Sequence, residues 1–336
     1  MKKIGPTNSL IDVQGTLVGH YNDTEAASGV TVVLFPEGAV AGVDVRGSAP
    51  GTCETDLLQP INLVEKVQAI VLTGGSVYGL ATAAGVVRWL AHKGRGFPLA
   101  DGQVAPIVPA AALFDLGRGK EFVPPINPEW GVQACESAKN DALILGVVGA
   151  GTGTLSGGIK GGLGSASLVL DSGLTVAAVV AVNSLGSVID PESGRPWEVR
   201  LEVDGEFGEL GRRKVRLPSG PASDAARNTT IGLVATDAIL TKAQAQKIAQ
   251  MAQDGLARAI RPAHTMFDGD TIFCAATCKQ PLPETPGFFA APQAVALNDF
   301  GQAAADCLSR AIIRAILEAT SLGEMTAFRD LEFSTD

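Results

Sequence analysis

The sequence predicts a layered α/β protein, and three observations carry that prediction. Residues 174–182 and 231–236 are apolar runs without polar alternation, as strands covered on both faces are. Segments with helical spacing stand before and after them, over residues 78–92, 241–259 and 298–319. The chain also begins with two neighbouring β-branched runs, which argues against a purely parallel, doubly wound sheet.

The elements follow in order. Residues 29–35 and 39–45 are β-branched runs divided by Pro36-Glu37-Gly38, a hairpin signal. Residues 67–73 form a strand ending at Gly74-Gly75, a pair that lets backbone come close to a ligand or another strand. An alanine-rich helix over 78–92 comes next. The middle of the chain is dense in glycine, from Gly149-Ala150-Gly151-Thr152-Gly153 to Lys160-Gly161-Gly162-Leu163-Gly164, and the buried strand 174–182 stops at Asn183. Residues 201–217 read as a charged, exposed excursion, and residues 218–224 as a turn-rich segment expected to be mobile. Asn228-Thr229-Thr230 opens the strand 231–236. Thr241 is placed to cap the helix 241–259, and a strand over 271–277 precedes the last helix.

With 336 residues, 46% of them hydrophobic and 18% charged, the chain can bury one large core. No linker, repeat or low-complexity tract divides it, so a single domain over 1–336 is expected. A net charge of -9 gives no basic face for nucleic acid and no attraction to an anionic membrane. The five cysteines are scattered and odd in number. Cys274 and Cys278 lie four apart with no second pair and no nearby histidines, so no metal site is expected. The first residues hold no apolar signal region, and the run 174–182 is too short to span a bilayer. A soluble, cytoplasmic protein is the expectation.

Three constellations could carry chemistry. The glycine-rich middle has neither the spacing of a dinucleotide loop nor that of a phosphate loop, so no nucleotide cofactor is expected. Within it, Lys160 is flanked closely by glycines. It is either solvated or, beside a reacting carbonyl, a stabiliser of negative charge. Thr229 follows a turn-rich segment and opens a strand, which by itself is ordinary β-propensity. If the chain breaks between Asn228 and Thr229, however, the new α-amine can act as base for the threonine hydroxyl. An α-amine titrates at about 7.7–8.0, suited to neutral pH. In His264-Thr265-Met266-Phe267-Asp268-Gly269-Asp270, two carboxylates flank a glycine. They form either a solvated turn or a pair aimed at one site.

Taken in order, these features resemble the DmpA / β-peptidyl aminopeptidase family of N-terminal-nucleophile hydrolases. The branch they look most like contains the 6-aminohexanoate-oligomer (nylon-oligomer) endo-hydrolases. The motifs are Val43-Asp44-Val45-Arg46-Gly47 with Glu54-Thr55-Asp56, Gly74-Gly75-Ser76-Val77-Tyr78-Gly79-Leu80, the Lys160 segment, Val182-Asn183-Ser184-Leu185-Gly186, Asn228-Thr229-Thr230-Ile231 and Asp268-Gly269-Asp270.

The resemblance implies a four-layer αββα sandwich of the DmpA / ornithine-acetyltransferase type. It implies self-cleavage into chains 1–228 and 229–336 and a homotetramer, or a larger ring, of the processed pairs. It also implies a small peptide or amide as substrate, with no cofactor. By this resemblance Thr229 is the nucleophile, Asn183 the oxyanion donor, Lys160 a catalytic lysine, and Asp268 and Asp270 the paired carboxylates. Where the nylon-oligomer hydrolases have a tyrosine before an aspartate, this chain has Phe114-Asp115, so a hydroxyl is lost beside the substrate. Tyr78 is a second candidate ring for the pocket. Two other activities remain open: acyl transfer of the ornithine-acetyltransferase kind, and an unprocessed homologue that only binds a small ligand.

Overall fold

The computed structural model describes residues 3–211, 214, 215, 217, 218, 228–286 and 291–332. In chain order the strands are β1 (Leu17–Asp23), β2 (Ser28–Val45), β3 (Gly51–Cys53), β4 (Lys66–Thr73), β5 (Phe97–Pro98), β6 (Val104–Ala105), β7 (Ala110–Ala112), β8 (Leu155–Ser156), β9 (Ile159–Lys160), β10 (Gly162–Val169), β11 (Thr175–Val182), β12 (Ile189–Asp190), β13 (Arg195–Pro196), β14 (Ile231–Ala238) and β15 (Thr271–Gln280). The helices are α1 (Ser76–Gly79), α2 (Ala81–His92), α3 (Pro128–Glu136), α4 (Lys242–Ala259) and α5 (Ala294–Leu317). The main sheet runs β10-β11-β14-β15-β2-β4-β7-β3, with β1 also paired to β2. Its neighbours are antiparallel except β14–β15 and β4–β7.

Side chains alternate across each strand, and the alternation sorts them into three apolar layers. On β11, Val176, Ala178 and Val180 face Ile248 and Leu256 of α4 and Leu308 and Ile312 of α5. The intervening Ala177, Val179 and Ala181 face a central core that holds Phe35, Ile70 and Leu72. On β4, Ala69 and Val71 turn to the far side, against Val86 and Leu90 of α2 and Trp130 of α3. Helices, sheet, sheet and helices follow one another, as the family resemblance implies. The apolar runs of the sequence are those covered on both faces.

The signal at Pro36-Glu37-Gly38 is not a hairpin. The strand β2 passes straight through it for 18 residues, and only its register against β4 slips, between Leu34 and Ala39. Proline has no N–H for the ladder and Glu37 is exposed, so the segment bulges and the strand bends. Val32 and Leu34 lie in the outer core beside α2, whereas Val40 lies in the opposite one beside α4. The bend therefore carries one strand from one leaf of the sheet to the other. The true hairpin lies earlier, where β1 pairs with β2 from Leu17↔Leu34 to Asp23↔Ser28.

Three further boundaries differ from expectation. The helix 78–92 is two pieces, α1 and α2, and the last helix begins at Ala294. The described residues of the 201–217 excursion are pinned rather than wholly exposed, because Phe207 and Val215 are buried and Glu206 receives Arg310 Nη2 at 2.9 Å. Helix α4 starts as expected, with Thr241 and Gln244 forming a capping box. Of the turn-rich segment 218–224, residues 219–224 lie outside the described residues. Among the described residues no helix is long and apolar enough to cross a membrane, no three metal-ligating side chains gather, and the five cysteines are free.

Candidate active site

Strand register brings the motifs together. Strands β11 and β14 are antiparallel with Ala181 opposite Ile231. Two residues further on, the Thr229 N–H donates to the Asn183 carbonyl at 2.5 Å, one more rung of the same ladder. Strands β14 and β15 are parallel with Ile231 beside Thr271, and the Thr271 N–H donates to Thr230 O at 3.1 Å. Gly269 and Asp270 therefore stand beside Thr229 and Thr230. On the next strand the Arg46 N–H donates to Asp270 O at 3.0 Å, so the end of β2 joins the same edge. On the other side Gly162 faces Val182, which sets Lys160 and Gly161 by the turn that holds Asn183. Motifs far apart in sequence are strand ends meeting at one edge of the sheet.

Thr229 is buried, 4% exposed. Its hydroxyl donates to the carbonyl oxygen of Asn228, the bond it would have to attack, and receives the Gly269 N–H at 3.2 Å. Asp270 accepts the Thr230 N–H at 2.9 Å on one oxygen. Its other oxygen takes the His264 N–H at 3.1 Å and lies 2.8 Å from His264 Nδ1. Asp268 binds Thr265 through the N–H at 2.9 Å and the hydroxyl at 2.5 Å. Its Oδ1 is buried and makes no hydrogen bond of normal geometry, although the Leu185 N–H is near enough to favour the charged form. Burial, and then the charge of Asp270, push the Asp268 carboxyl above the usual carboxylate range. Neither carboxylate hydrogen-bonds Thr229 directly. They hold its neighbours.

Lys160 is fully buried, and its ammonium donates to Gly151 O at 3.0 Å, Thr154 O at 3.1 Å and Gly161 O at 2.9 Å. Burial first, and then the Arg118 charge, pull it well below the ordinary lysine range, while Asp115 opposes. The three carbonyls oppose as well, because a neutral amine would turn its lone pair toward one of them. Lys160 makes no hydrogen bond to Thr229. It pins the glycine-rich turn and places positive charge beside the site.

The Asn183 side chain is held at both ends. Its Oδ1 accepts from Arg118 Nη1 and from the Leu155 N–H, and its Nδ2 donates to Phe114 O at 3.1 Å. Phe114 thus contributes a backbone carbonyl. Next to it, Asp115 is buried and accepts the Gly75 N–H at 2.6 Å and the Ser28 hydroxyl at 2.8 Å. Burial pushes its carboxyl up, against those two donors and Arg118. A β-carbon at Gly74 would come within 2.0 Å of Asp115 Oδ2, which is why glycine stands there. Tyr78 lies on α1 just after that pair, 52% exposed.

The sequence reading missed Arg118 and gave His264 no role. Arg118 stands in Gly117-Arg118-Gly119, a charged side chain flanked by glycines like Lys160, and that signal could have found it.

A family model described as peptidase family S58 matches residues 8–328. The chain is 45% identical over 346 residues to an uncharacterized aminopeptidase of Mycobacterium leprae (strain TN), across 96% of this chain and 94% of that protein. It is 28% identical over 329 residues to a 6-aminohexanoate-oligomer endohydrolase of Kocuria sp. (strain KY2), across 94% of this chain and 88% of that protein. Among solved structures, a Burkholderia sp. beta-aminopeptidase superimposes with a TM-score of 0.72 at 23% identity, covering 97% of this chain and 91% of that one. An L-aminopeptidase D-Ala-esterase/amidase from Ochrobactrum anthropi, described as a variant of the Ntn-hydrolase fold, does so with a TM-score of 0.72 at 22% identity, covering 100% and 93%.

Proposed function

This chain belongs to peptidase family S58, and from that premise we propose that it is a self-processing amide hydrolase whose nucleophile is Thr229. The single observation that carries the reading is the placement of the Thr229 hydroxyl against the Asn228 carbonyl, with the Gly269 N–H donating to the hydroxyl oxygen.

In the unbroken chain Thr229 Oγ attacks the Asn228 carbonyl carbon. The hydroxyl proton passes to the amide nitrogen, the C–N bond breaks, and an ester joins Asn228 to Thr229 Oγ. Water opens that ester, leaving an Asn228 carboxylate and a free Thr229 amine, and so chains 1–228 and 229–336. The amine nitrogen then lies where the amide nitrogen lay, 2.5 Å from Asn183 O. That carbonyl accepts one of its hydrogens, while the amine lone pair takes the proton of its own hydroxyl. Oγ attacks the substrate amide, the leaving amine takes the proton, and water releases the acyl group.

Asn183 Nδ2 stabilises the oxyanion in each step. Lys160, held by the carbonyls of the Gly151–Thr154 turn, adds positive charge beside the reacting carbonyl. Asp270 holds the Thr230 N–H and so the direction of the strand start. Asp268, bound to the Thr265 N–H and hydroxyl, fixes the turn that brings the Gly269 N–H to the Thr229 hydroxyl. The chemistry balances without a metal or organic cofactor.

Small peptides or amides are the substrates in this reading, with Tyr78 and the Phe114 ring as pocket-side groups. The 45% identity to an aminopeptidase favours peptides over nylon oligomers, as does phenylalanine at position 114. Five free cysteines suit a reducing cytoplasm. Exposed Ile61 and Leu63 supply apolar surface for contact between copies in a homotetramer of processed pairs. The test is a screen of α-peptide, β-peptide and aminohexanoate-oligomer amides with wild-type and Thr229→Ala protein. Turnover of at least one class by the wild type alone supports the reading. Equal turnover by Thr229→Ala overturns it.

A further inference from the structure

Arg118 takes no part in the steps above. It sits in the turn after β7, half-buried, and its Nη1 donates both to Gly153 O at 2.6 Å and to the Asn183 side-chain oxygen. That oxygen also takes the Leu155 N–H at 3.1 Å, while Nδ2 faces the Phe114 carbonyl. Two donors at one end and an acceptor at the other fix which end is which. A flipped amide would set NH2 against a guanidinium and a backbone N–H, and its oxygen against a carbonyl.

The geometry points to Arg118 as a positioning residue that locks the Asn183 amide and strengthens its Nδ2 as an oxyanion donor, which rests on the oxyanion role proposed for Asn183. A charge-assisted hydrogen bond to an amide oxygen is stronger than a neutral one. It draws electron density toward that oxygen and leaves the N–H hydrogens more positive, so hydrogen bonds in a chain reinforce one another. The guanidinium keeps its charge at any working pH. The ionisable groups around it, Lys160 and Asp115, are both buried where charge is disfavoured. The turn that carries Arg118 also supplies the Phe114 carbonyl and the Asp115 carboxylate, so one short segment, 114–118, orients the oxyanion donor from both ends.

The experiment compares Arg118→Met, Arg118→Lys and Asn183→Ala singly, and Arg118→Met combined with Asn183→Ala. It reads the self-cleavage rate and, for processed protein, kcat and KM on an amide found in the screen. Arg118→Met should lower kcat and the cleavage rate about tenfold or more, with KM changed by less than about threefold, the pattern of an interaction made in the transition state. Arg118→Lys should recover most of the loss, because it restores charge at the same oxygen. In the Asn183→Ala background Arg118→Met should have no further effect, since its route to the reaction is gone.

Full additivity in the double variant, or a loss confined to KM, overturns the role of Arg118 and leaves the function standing. A wild-type rate in Asn183→Ala instead overturns the oxyanion reading itself. If Arg118→Met does not fold, Arg118→Gln, which keeps a neutral donor, carries the same comparison.

Discussion

The Thr229 amide nitrogen lies 2.5 Å from the carbonyl oxygen of Asn183, as a rung of the β11–β14 ladder extended past its last paired strand residues. In the proposed mechanism, one residue thus holds the nucleophile's nitrogen through its backbone and offers an oxyanion donor through its side chain. If that pairing is functional, loss of the side chain alone should spare the ladder. Asn183→Ala is expected to lower kcat by about 10²–10³, as removal of one preorganised donor does elsewhere, with the fold retained by circular dichroism. Activity that falls only in proportion to the folded fraction would make Asn183 structural.

Gly269 tests the hydroxyl end. A β-carbon there would come 2.9 Å from Thr229 Oγ and 2.5 Å from Ala49 O, so something must shift. Gly269→Ala should displace the hydroxyl and slow self-cleavage about 10²-fold, since small misplacements cost that much. The time course of chain cleavage after purification measures it.

Asp270 is set apart from a surface carboxylate by its two backbone donors and the neighbouring His264 ring. In Asp270→Asn one end becomes NH2, which must face either the Thr230 N–H or the His264 N–H and cannot accept from it. A buried donor left without a partner costs about 1–3 kcal/mol. Both urea stability and the self-cleavage rate should fall. Unchanged stability with normal cleavage would return Asp270 to an ordinary turn.

The fold was legible in the sequence wherever local physics decides it. Unbroken apolar runs give strands covered on both faces, and Thr241 marks the start of α4. Local signals failed at Pro36-Glu37-Gly38, where the turn residues make a bulge. Whether such residues reverse a chain or only bend it depends on what pairs with each side, and that is a long-range fact. The site divides in the same way. Thr229, Asn183, Lys160 and the two aspartates were each conspicuous in their motifs. Which atom touches which is set by register between strands, which no single motif contains. Hence the Gly269 N–H, and not a carboxylate, reaches the hydroxyl. Arg118 escaped notice because its meaning lies in a partner 65 residues away.

Acid stability gives a further check, at His20. Burial lowers its pKa from 6.5 to about 4, so the fold holds the neutral ring. A depressed pKa means the unfolded chain binds the proton first as pH falls. The stability His20 contributes is therefore present above 6.5 and is lost progressively as pH falls toward about 4. His20→Gln should lose less Tm than the wild type across that window, by differential scanning calorimetry. Equal losses would mean that other groups govern the acid limb.

The most direct test of the central claim is the N-terminal sequence of the fragments in purified wild-type protein, beside Thr229→Ala and Thr229→Ser. The account predicts two chains in the wild type and in Thr229→Ser, with the smaller beginning at position 229, and one intact chain in Thr229→Ala. A smaller chain that begins anywhere else, or a wild type that hydrolyses amides as a single intact chain, would contradict it.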